Sequence, residues 1–335
     1  MSASRLIGTT ESPAKTFDLA LVDLDGVAYR GHEPIDHAAT SLVAARAAGM
    51  SLVFVTNNAS REPEDVAAQL TSLDIPTAPD EVLTAAQAAA ALLAARLAPG
   101  DRVLVVGGKG LRTATAQAGF TVVDSADDGP VAVVQGFSPD LGWRQLAEAA
   151  YAVAGGAWHV ASNLDLSLPT DRGFAPGNGA LVGAVVHATG VTPDSSGKPS
   201  PAMYELAIDR HGARTPLVVG DRLDTDLAGA RAGGIPGLHV FTGVSSPRDA
   251  VLAAPHERPH LLGADLRALH EPHPEPITGP EDWWVCRESA ARVRSGELEL
   301  DGSGIDLVRA ACAAAWAAAD DGAPVDPAKV GDLVP

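Results

Sequence analysis

Short apolar runs alternate with alanine-rich helical patterns through most of this 335-residue chain. Between the runs, helical patterns cover residues 36–48, 62–73 and 80–97. Buried strands separated by helices require right-handed βαβ crossovers, and these produce parallel sheets covered by helices on both faces. The sequence therefore predicts an α/β fold. The predicted strands are 19–22, 52–55, 103–106, 131–135, 158–161, 217–219 and 238–241.

The pattern changes after about residue 246. Prolines accumulate between residues 255 and 280, which predicts a linker around 270–280. We expect the histidines of this stretch to be solvated, because their spacing fits no standard zinc site. Beyond it, Trp283–Cys286 and Ala291–Leu300 are predicted as two strands and Ile305–Ala319 as a helix. A piece this small needs to dock on the rest of the chain to be stable. The histidines are His256, His260, His270 and His273.

The charge balance restricts the partners. Lys and Arg number 24 against 42 Asp and Glu, a formal net charge of −18. Such a field repels phosphate backbones and anionic lipid, so we expect neither a nucleic-acid nor a membrane partner. With two cysteines, no signal-like segment and no apolar stretch approaching the ~18 residues of a membrane span, a cytoplasmic location is expected.

Carboxylates follow two of the predicted strands. Asp23 and Asp25 follow the first strand and precede Gly26, and Asp221 and Asp226 follow strand 217–219. Open α/β sheets gather ligands at the carboxyl ends of their strands, and Mg²⁺ prefers carboxylate oxygens. The pattern predicts a magnesium site, although a strand end with a simple Asp-Gly turn explains the first pair equally well. We expect Asp224, between Asp221 and Asp226, to cap the following helix.

Uncharged donors and one lysine follow at other segment ends. Thr56, Asn57 and Asn58 follow strand 52–55, and Lys198 lies between a glycine and a proline before a predicted helix. These groups can hold phosphate oxygens, but a helix cap and an exposed loop lysine are alternative interpretations. The segment Gly107–Gly110 lacks the spacing of a nucleotide phosphate loop, so it is interpreted as a tight turn between strand and helix.

In this order, the motifs resemble those of the haloacid dehalogenase superfamily of phosphohydrolases. The resemblance implies that Asp23 is the nucleophile and Asp25 the general acid/base, and that Thr56, Asn57, Asn58 and Lys198 bind the substrate phosphate. It also implies a Mg²⁺ ion held by Asp23, the backbone carbonyl of Asp25 and Asp221, with Asp226 as a ligand or as a partner of the ligands. The spacing of 142 positions between Thr56 and Lys198 resembles that of the subfamily with a large α/β cap inserted there, which includes phosphatases of phosphoglycolate, pyridoxal phosphate, glycerol phosphate and nucleotides.

The resemblance further implies a Rossmann-like parallel-sheet core over 12–98 and 193–250 and an inserted α/β cap over 99–192. It does not extend to the C-terminal residues, where the sequence pattern alone predicts a small α+β module over 275–335. Within the cap, the segment 163–174 is a candidate for reading the leaving group, with Asp165, Asp171 and Arg172, or else a solvated loop.

The expected activity is Mg²⁺-dependent hydrolysis of small phosphate monoesters, of the glycerol phosphate or phosphoglycolate type, through an aspartyl-phosphate. The partner is then a small phosphorylated metabolite, and a homodimer is compatible with the sequence. The alternatives are a phosphotransferase or mutase with the same intermediate, and a regulatory binding protein built on a phosphatase-like core.

Overall fold

A computed structural model describes residues 5–170 and 172–335 of the chain. The helices in these ranges are α1 Pro13–Thr16, α2 Ala38–Ala47, α3 Pro63–Ser72, α4 Ala85–Ala94, α5 Lys109–Gln117, α6 Trp143–Ala154, α7 Asn178–Thr189, α8 Ala202–His211, α9 Ala228–Ala232, α10 Pro247–Val251 and α11 Gly304–Asp320. The strands are β1 Leu19–Val22, β2 Tyr29–Arg30, β3 Glu33–Pro34, β4 Ser51–Thr56, β5 Val82–Thr84, β6 Arg102–Val106, β7 Thr121–Val123, β8 Ala132–Gln135, β9 Trp158–Ala161, β10 Ser167–Thr170, β11 Gly173–Pro176, β12 Asp194–Ser195, β13 Pro216–Gly220, β14 Gly237–Val240, β15 Leu261–Gly263, β16 Ile277–Thr278, β17 Trp284–Cys286, β18 Ser289–Arg294 and β19 Glu297–Asp301.

The chain divides into two compact units. The described part of the first unit is 5–54, 72–76 and 208–335, and the second unit is 55–71 and 77–207. The predicted boundaries of core and cap were drawn from a family resemblance and those of the C-terminal module from the sequence pattern, and all of them stay predictions.

The first unit contains a parallel sheet in which β15, β14, β13, β1 and β4 lie side by side in that order. β1 is central, and all four of its side chains are buried. Val22 at its end pairs with Val219 on one side and with Phe54 on the other. A strand buried on both faces has an uninterrupted apolar sequence, as in Leu-Ala-Leu-Val here. This confirms the predicted Rossmann-like parallel sheet.

The second unit contains another parallel sheet, with strand order β12, β9, β8, β6, β7. Leu104, Val106 and Val133 of this sheet pack with Val153 of α6 and Val185 of α7. The strands β10 and β11 form a separate antiparallel hairpin. The turn predicted at Gly107–Gly110 connects β6 to α5, with Gly108 at the helix N-cap.

Two predictions of secondary structure, one of a helix and one of a strand, were wrong. Residues 82–84, predicted as helix, form β5, because the side chain of Thr84 accepts from Gln87 N while Gln87 Oε1 accepts from Thr84 N. This reciprocal cap starts the helix at Ala85. The single strand predicted at 291–300 is the hairpin β18–β19, since Ser295 and Gly296 have φ of 52° and 77°. Positive φ at both central residues is the geometry of a tight two-residue hairpin turn.

The C-terminal residues form the predicted small α+β piece, with β16, β17, β18 and β19 in an antiparallel sheet. As expected for a piece of this size, it docks. Val308, Cys312 and Trp316 of α11 share one hydrophobic cluster with Val251 and Leu262 of the same unit. The indole nitrogen of Trp316 also donates to Ala250 O at 2.9 Å.

The expectation that this stretch is solvated is wrong in part, because His273 is buried and His260 is half-buried, whereas His256 and His270 are exposed. His273 is 3% exposed, and two hydrogen bonds join it to Thr9. The His273 amide donates to Thr9 Oγ1 at 2.9 Å, and the Thr9 amide donates to His273 O at 2.8 Å. His260 accepts from Gly237 N, and His270 donates to Ser41 O. The prolines break regular secondary structure here, and the segment is held to the N-terminal residues through His273.

None of the helices in the described ranges has both the length and the apolar character needed to cross a bilayer.

Candidate active site

Three carboxylates meet at the ends of neighbouring strands in the first unit. Asp23, Asp221 and Asp226 each place one carboxylate oxygen within 4.8 Å of the others. The cause is the register of β1 and β13: Val22 pairs with Val219, so Asp23 lies one residue and Asp221 two residues beyond that pair. The Asp23 amide donates to Val219 O at 2.9 Å and continues the parallel ladder.

Two of these carboxylates are deeply buried. Asp221 is 0% and Asp226 is 1% exposed; Asp221 accepts a hydrogen bond from Val244 N at 2.6 Å, and Asp226 accepts one from Arg222 N at 3.2 Å. Burying neighbouring like charges is costly unless a cation compensates them. Oxygen ligands of one Mg²⁺ ion at ~2.1 Å lie at most about 4.2 Å apart, so a small rotation brings the three groups to one ion. The donor set fits a hard divalent cation.

The conformation of the segment after β13 determines that Asp226, and not Asp224, joins the carboxylate cluster. Residues Leu223–Leu227 form a π-helical turn, which directs Asp226 inward. Asp224 instead binds the guanidinium of Arg222 with both carboxylate oxygens, at 2.7 and 3.1 Å, and its side chain is 57% exposed. The prediction that Asp224 caps the helix was wrong, because the chain is already helical at that residue.

The turn that carries Asp25 depends on Gly26. Asp25 is exposed, and Gly26 follows it with φ of 88°. A Cβ atom on Gly26 would overlap with the carboxylate of Asp221. Gly26 thus satisfies both a left-handed backbone and the close approach of a charged group.

A buried histidine lies near Asp226. His239 in β14 is 0% exposed, and burial lowers its pKa to about 4 although Ser245 O, Gly220 O and the charge of Asp226 act in the opposite direction. The ring is therefore neutral at neutral pH, and its Nε2–H donates to Ser245 O at 3.2 Å.

In the second unit, Lys198 is 4% exposed and is held by Asn57. Asn57 Oδ1 accepts from Lys198 N at 2.8 Å, and Asn57 Nδ2 donates to Lys198 O at 3.2 Å and to Asp165 Oδ2 at 3.0 Å. The Lys198 ammonium donates to Val55 O at 3.1 Å. A lysine fixed at both its backbone and its ammonium is a preorganised cation.

Thr56 and Asn58 form the adjoining turn. Thr56 is 6% exposed and its hydroxyl oxygen accepts from Asn58 N at 3.1 Å. Asn58 Oδ1 accepts from Ser60 N and Arg61 N, at 2.8 and 3.3 Å. The side-chain oxygen of Asn58 therefore shapes the loop, and the amide of Asn57 positions Lys198.

Asn163 lies in the candidate segment 163–174, but sequence reasoning assigned it no role of its own; it is 5% exposed and donates through Nδ2 to Asn57 O at 2.8 Å. The same signal that revealed Asn57, a polar residue just after a buried strand, was available at the end of β9. Of the predicted leaving-group readers, Asp165 contacts Asn57, Arg172 is exposed, and Asp171 lies outside the described residues.

The structure thus brings the predicted residues together in two sets. The first unit assembles Asp23, Asp221 and Asp226 next to the Gly26 turn. The second unit assembles Asn57 with Lys198, and Thr56 with Asn58. Their catalytic and binding roles stay predictions.

Three family models match the chain. Residues 20–121 match the haloacid dehalogenase-like hydrolase model, and residues 195–269 match a second model of HAD-hydrolase-like proteins. Residues 286–331 match a GCN5-related N-acetyltransferase like domain, a stretch for which sequence analysis suggested no family.

Relatives extend the similarity. The chain is 45% identical over 314 residues to the D-glycerol 3-phosphate phosphatase of Mycobacterium tuberculosis, covering 92% of this chain and 88% of that protein. It is 37% identical over 237 residues to the acid sugar phosphatase of Staphylococcus aureus, covering 70% and 90% respectively. A crystal structure of the M. tuberculosis glycerol phosphate phosphatase in complex with magnesium superposes with a TM-score of 0.84 at 43% identity, covering 92% of this chain and 93% of that one.

Proposed function

This chain belongs to the haloacid dehalogenase-like hydrolases and is a phosphatase, and from that premise we propose that it hydrolyses glycerol phosphate or a closely related small polyol phosphate with Mg²⁺, through an aspartyl-phosphate on Asp23.

The convergence of Asp23, Asp221 and Asp226 within 4.8 Å carries the proposal. These side chains, with the backbone carbonyl of Asp25, would hold the ion. When bound, Mg²⁺ neutralises charge that otherwise repels the substrate phosphate from the carboxylates. The M. tuberculosis relative crystallised with magnesium supports the choice of ion.

The chemistry on the protein begins at Asp23. An ionised carboxylate needs no base to attack the phosphorus in line, and the bond to the leaving alkoxide breaks as the aspartyl-phosphate forms. Asp25 protonates the alkoxide, then takes a proton from the water that hydrolyses the intermediate. Free phosphate leaves, and Asp23 is regenerated.

The residues proposed to bind the substrate phosphate are Thr56 and Lys198 of the second unit. The ammonium of Lys198 and the hydroxyl of Thr56 would stabilise the phosphoryl oxygens, as preorganised donors do where charge develops. We assign Asn57 and Asn58 to the support of these donors, since their side-chain oxygens accept backbone hydrogen bonds from Lys198, Ser60 and Arg61.

The substrate assignment rests on the relatives. The 45% identity to a D-glycerol 3-phosphate phosphatase extends over 92% of this chain, including the region 99–192 that we assign to a cap. A small, uncharged polyol leaving group places few demands on that region. Phosphoglycolate is the next candidate, and it adds a second negative charge.

A phosphate-release assay of the full chain with Mg²⁺ tests the proposal. The substrates are both enantiomers of glycerol 3-phosphate, phosphoglycolate, a hexose phosphate and a nucleoside monophosphate. We expect the highest kcat/KM with glycerol phosphate and stoichiometric release of phosphate. Rearranged substrate without free phosphate would show a mutase and contradict hydrolysis, and a clear preference for another substrate would overturn the assignment.

A further inference from the structure

The segment Thr242–Ser245, one residue beyond the end of β14, contacts Asp221, the turn after Asp25 and the start of the turn that carries Asp226. We propose that this segment, called here the 242–245 clasp, is a positioning element that preorganises the Mg²⁺ site by fixing Asp221 against the turn that follows Asp25. The inference rests on the proposed function, because it assumes that the carboxylate cluster binds the ion.

The centre of the clasp holds Asp221. Val244 N donates to Asp221 Oδ2 at 2.6 Å, and Ser245 N donates to the backbone oxygen of Asp221 at 3.1 Å. A Cβ atom on Gly243 would overlap with the Asp221 carboxylate, as would one on Gly26. The carboxylate therefore lies between two glycines, one in the clasp and one in the turn after β1.

The start of the clasp is bonded to that turn. Thr242 Oγ1 donates to Gly26 O at 2.6 Å, across 216 residues of sequence. The guanidinium of Arg30, in β2, donates to Thr242 O at 2.8 Å. In the sheet β13 lies between β14 and β1, so the clasp crosses the end of β13, where Asp221 lies, to reach the end of β1.

The end of the clasp is bonded to the π-helical turn that carries Asp226. Ser245 Oγ accepts from Leu223 N at 3.1 Å, and Ser245 O accepts from the buried ring of His239. One four-residue segment thus bonds to the Gly26 turn, to Asp221 and to the start of the Asp226 turn.

The physical consequence is preorganisation. Three carboxylates repel one another when no cation is bound, so the side chains tend to move apart. Bringing them back together when an ion binds costs free energy. A fixed framework lowers that cost. Since one hydrogen bond in such a framework contributes modestly, its loss should weaken Mg²⁺ affinity about three- to tenfold.

Isothermal titration of the full chain with Mg²⁺ alone tests the clasp. In Thr242→Val, which keeps the shape but removes the hydroxyl, we expect the Mg²⁺ Kd to rise about three- to tenfold, with kcat recovered at saturating Mg²⁺. Thr242→Ser restores the donor and should bind within about twofold of wild type. The matched control is Thr189→Val in α7, which removes a hydroxyl-to-carbonyl bond of 2.9 Å far from the carboxylates in sequence and should leave the Kd unchanged.

An unchanged Mg²⁺ Kd in folded Thr242→Val overturns the proposal, as does an equal loss in Thr189→Val. Should Thr242→Val fail to fold, Gly243→Ala provides the second test, since Gly243 has no positive φ and its new Cβ would displace Asp221. We expect at least tenfold weaker Mg²⁺ binding there, and wild-type affinity contradicts the clasp. A wild-type protein that binds no Mg²⁺ would instead contradict the proposed function.

Discussion

Asp224 and Asp226 have the same side chain two residues apart, yet only Asp226 joins the carboxylate cluster. Residue type and spacing predicted carboxylates at this strand end, but they assigned Asp224 to a cap that it does not form. The π-helical turn decides the directions of both side chains, and no pattern in its sequence, Leu-Asp-Thr-Asp-Leu, distinguishes it from an ordinary helical turn.

Asp23→Asn is expected to reduce turnover by at least about a thousandfold, because an amide of the same shape is no nucleophile. The fold should be retained, with circular dichroism and melting temperature close to wild type. The measurement is phosphate release under saturating Mg²⁺, with Asp140→Asn as the control, since Asp140 is an exposed carboxylate of the second unit. Appreciable turnover by folded Asp23→Asn would contradict covalent catalysis at this residue.

Metal exchange tests the same carboxylate. A chelator should abolish activity, and Ca²⁺ should not restore it, because a shell of six to eight ligands at ~2.3–2.6 Å favours bidentate binding of Asp23 and turns its oxygen away from in-line attack. The comparison is phosphate release after adding Mg²⁺ or Ca²⁺ to the chelated protein. Full turnover with Ca²⁺ would show that attack does not require the smaller octahedral ion.

Helix α11 shows how far a single helix can be predicted from the sequence. Its apolar stretch predicted a helix at 305–319, and the structure has Gly304–Asp320. The surface that covers this helix could not be predicted from the sequence, because its hydrogen-bond partners lie 47 and 66 residues earlier. Arg309 Nη2 donates to Leu262 O at 2.7 Å, and Trp316 Nε1 donates to Ala250 O.

Trp316→Ala should lower the free energy of unfolding by about 3–5 kcal/mol, since it empties a buried site and removes a hydrogen bond. Trp316 is 2% exposed. The matched control is Trp143→Ala on α6, where the indole is 76% exposed and the expected change is within about 0.5 kcal/mol. Urea denaturation measures both, and equal losses would contradict docking of α11 on the first unit.

Buried histidines of the first unit make the stability of the protein depend on pH. Burial lowers the pKa of His239, His260 and His273 to about 4 in each case. For His273, Nε2–H donates to Ala268 O, so Nδ1 is left to accept from the guanidinium of Arg309. This arrangement requires a neutral ring, and Arg309 adds to the cost of protonation.

Stability should therefore fall as the pH drops from 6.5 towards 4. In that interval the unfolded chain, with histidine pKa near 6.5, binds protons that the folded chain rejects, and each such group can lower the free energy of unfolding by up to ~1.4 kcal/mol per pH unit. Denaturation at pH 7.5, 6.0 and 5.0 measures the slope. His273→Gln should make this slope smaller. His256→Asn is the control and should leave the slope unchanged, because the His256 side chain is 74% exposed. A wild-type stability that does not change with pH would refute the expectation.

Some features of the whole molecule stay predictions: the cytoplasmic location, the homodimer, and the absence of nucleic-acid and membrane partners. Net charge of −18 supports the last of these through repulsion of phosphate groups.

The sequence by itself determined the fold class and the chemistry of the carboxylate cluster, because both follow from local patterns: apolar strands that end in Asp23 and Asp221, and a glycine at residue 26. Only the tertiary structure decided which polar groups support the others. The bonds of Thr242 to Gly26, of Asn57 to Lys198 and of Arg309 to His273 join residues 216, 141 and 36 positions apart. Such pairs form only when the sheets and helices have packed, since no local preference of the chain specifies a partner so far away along the sequence.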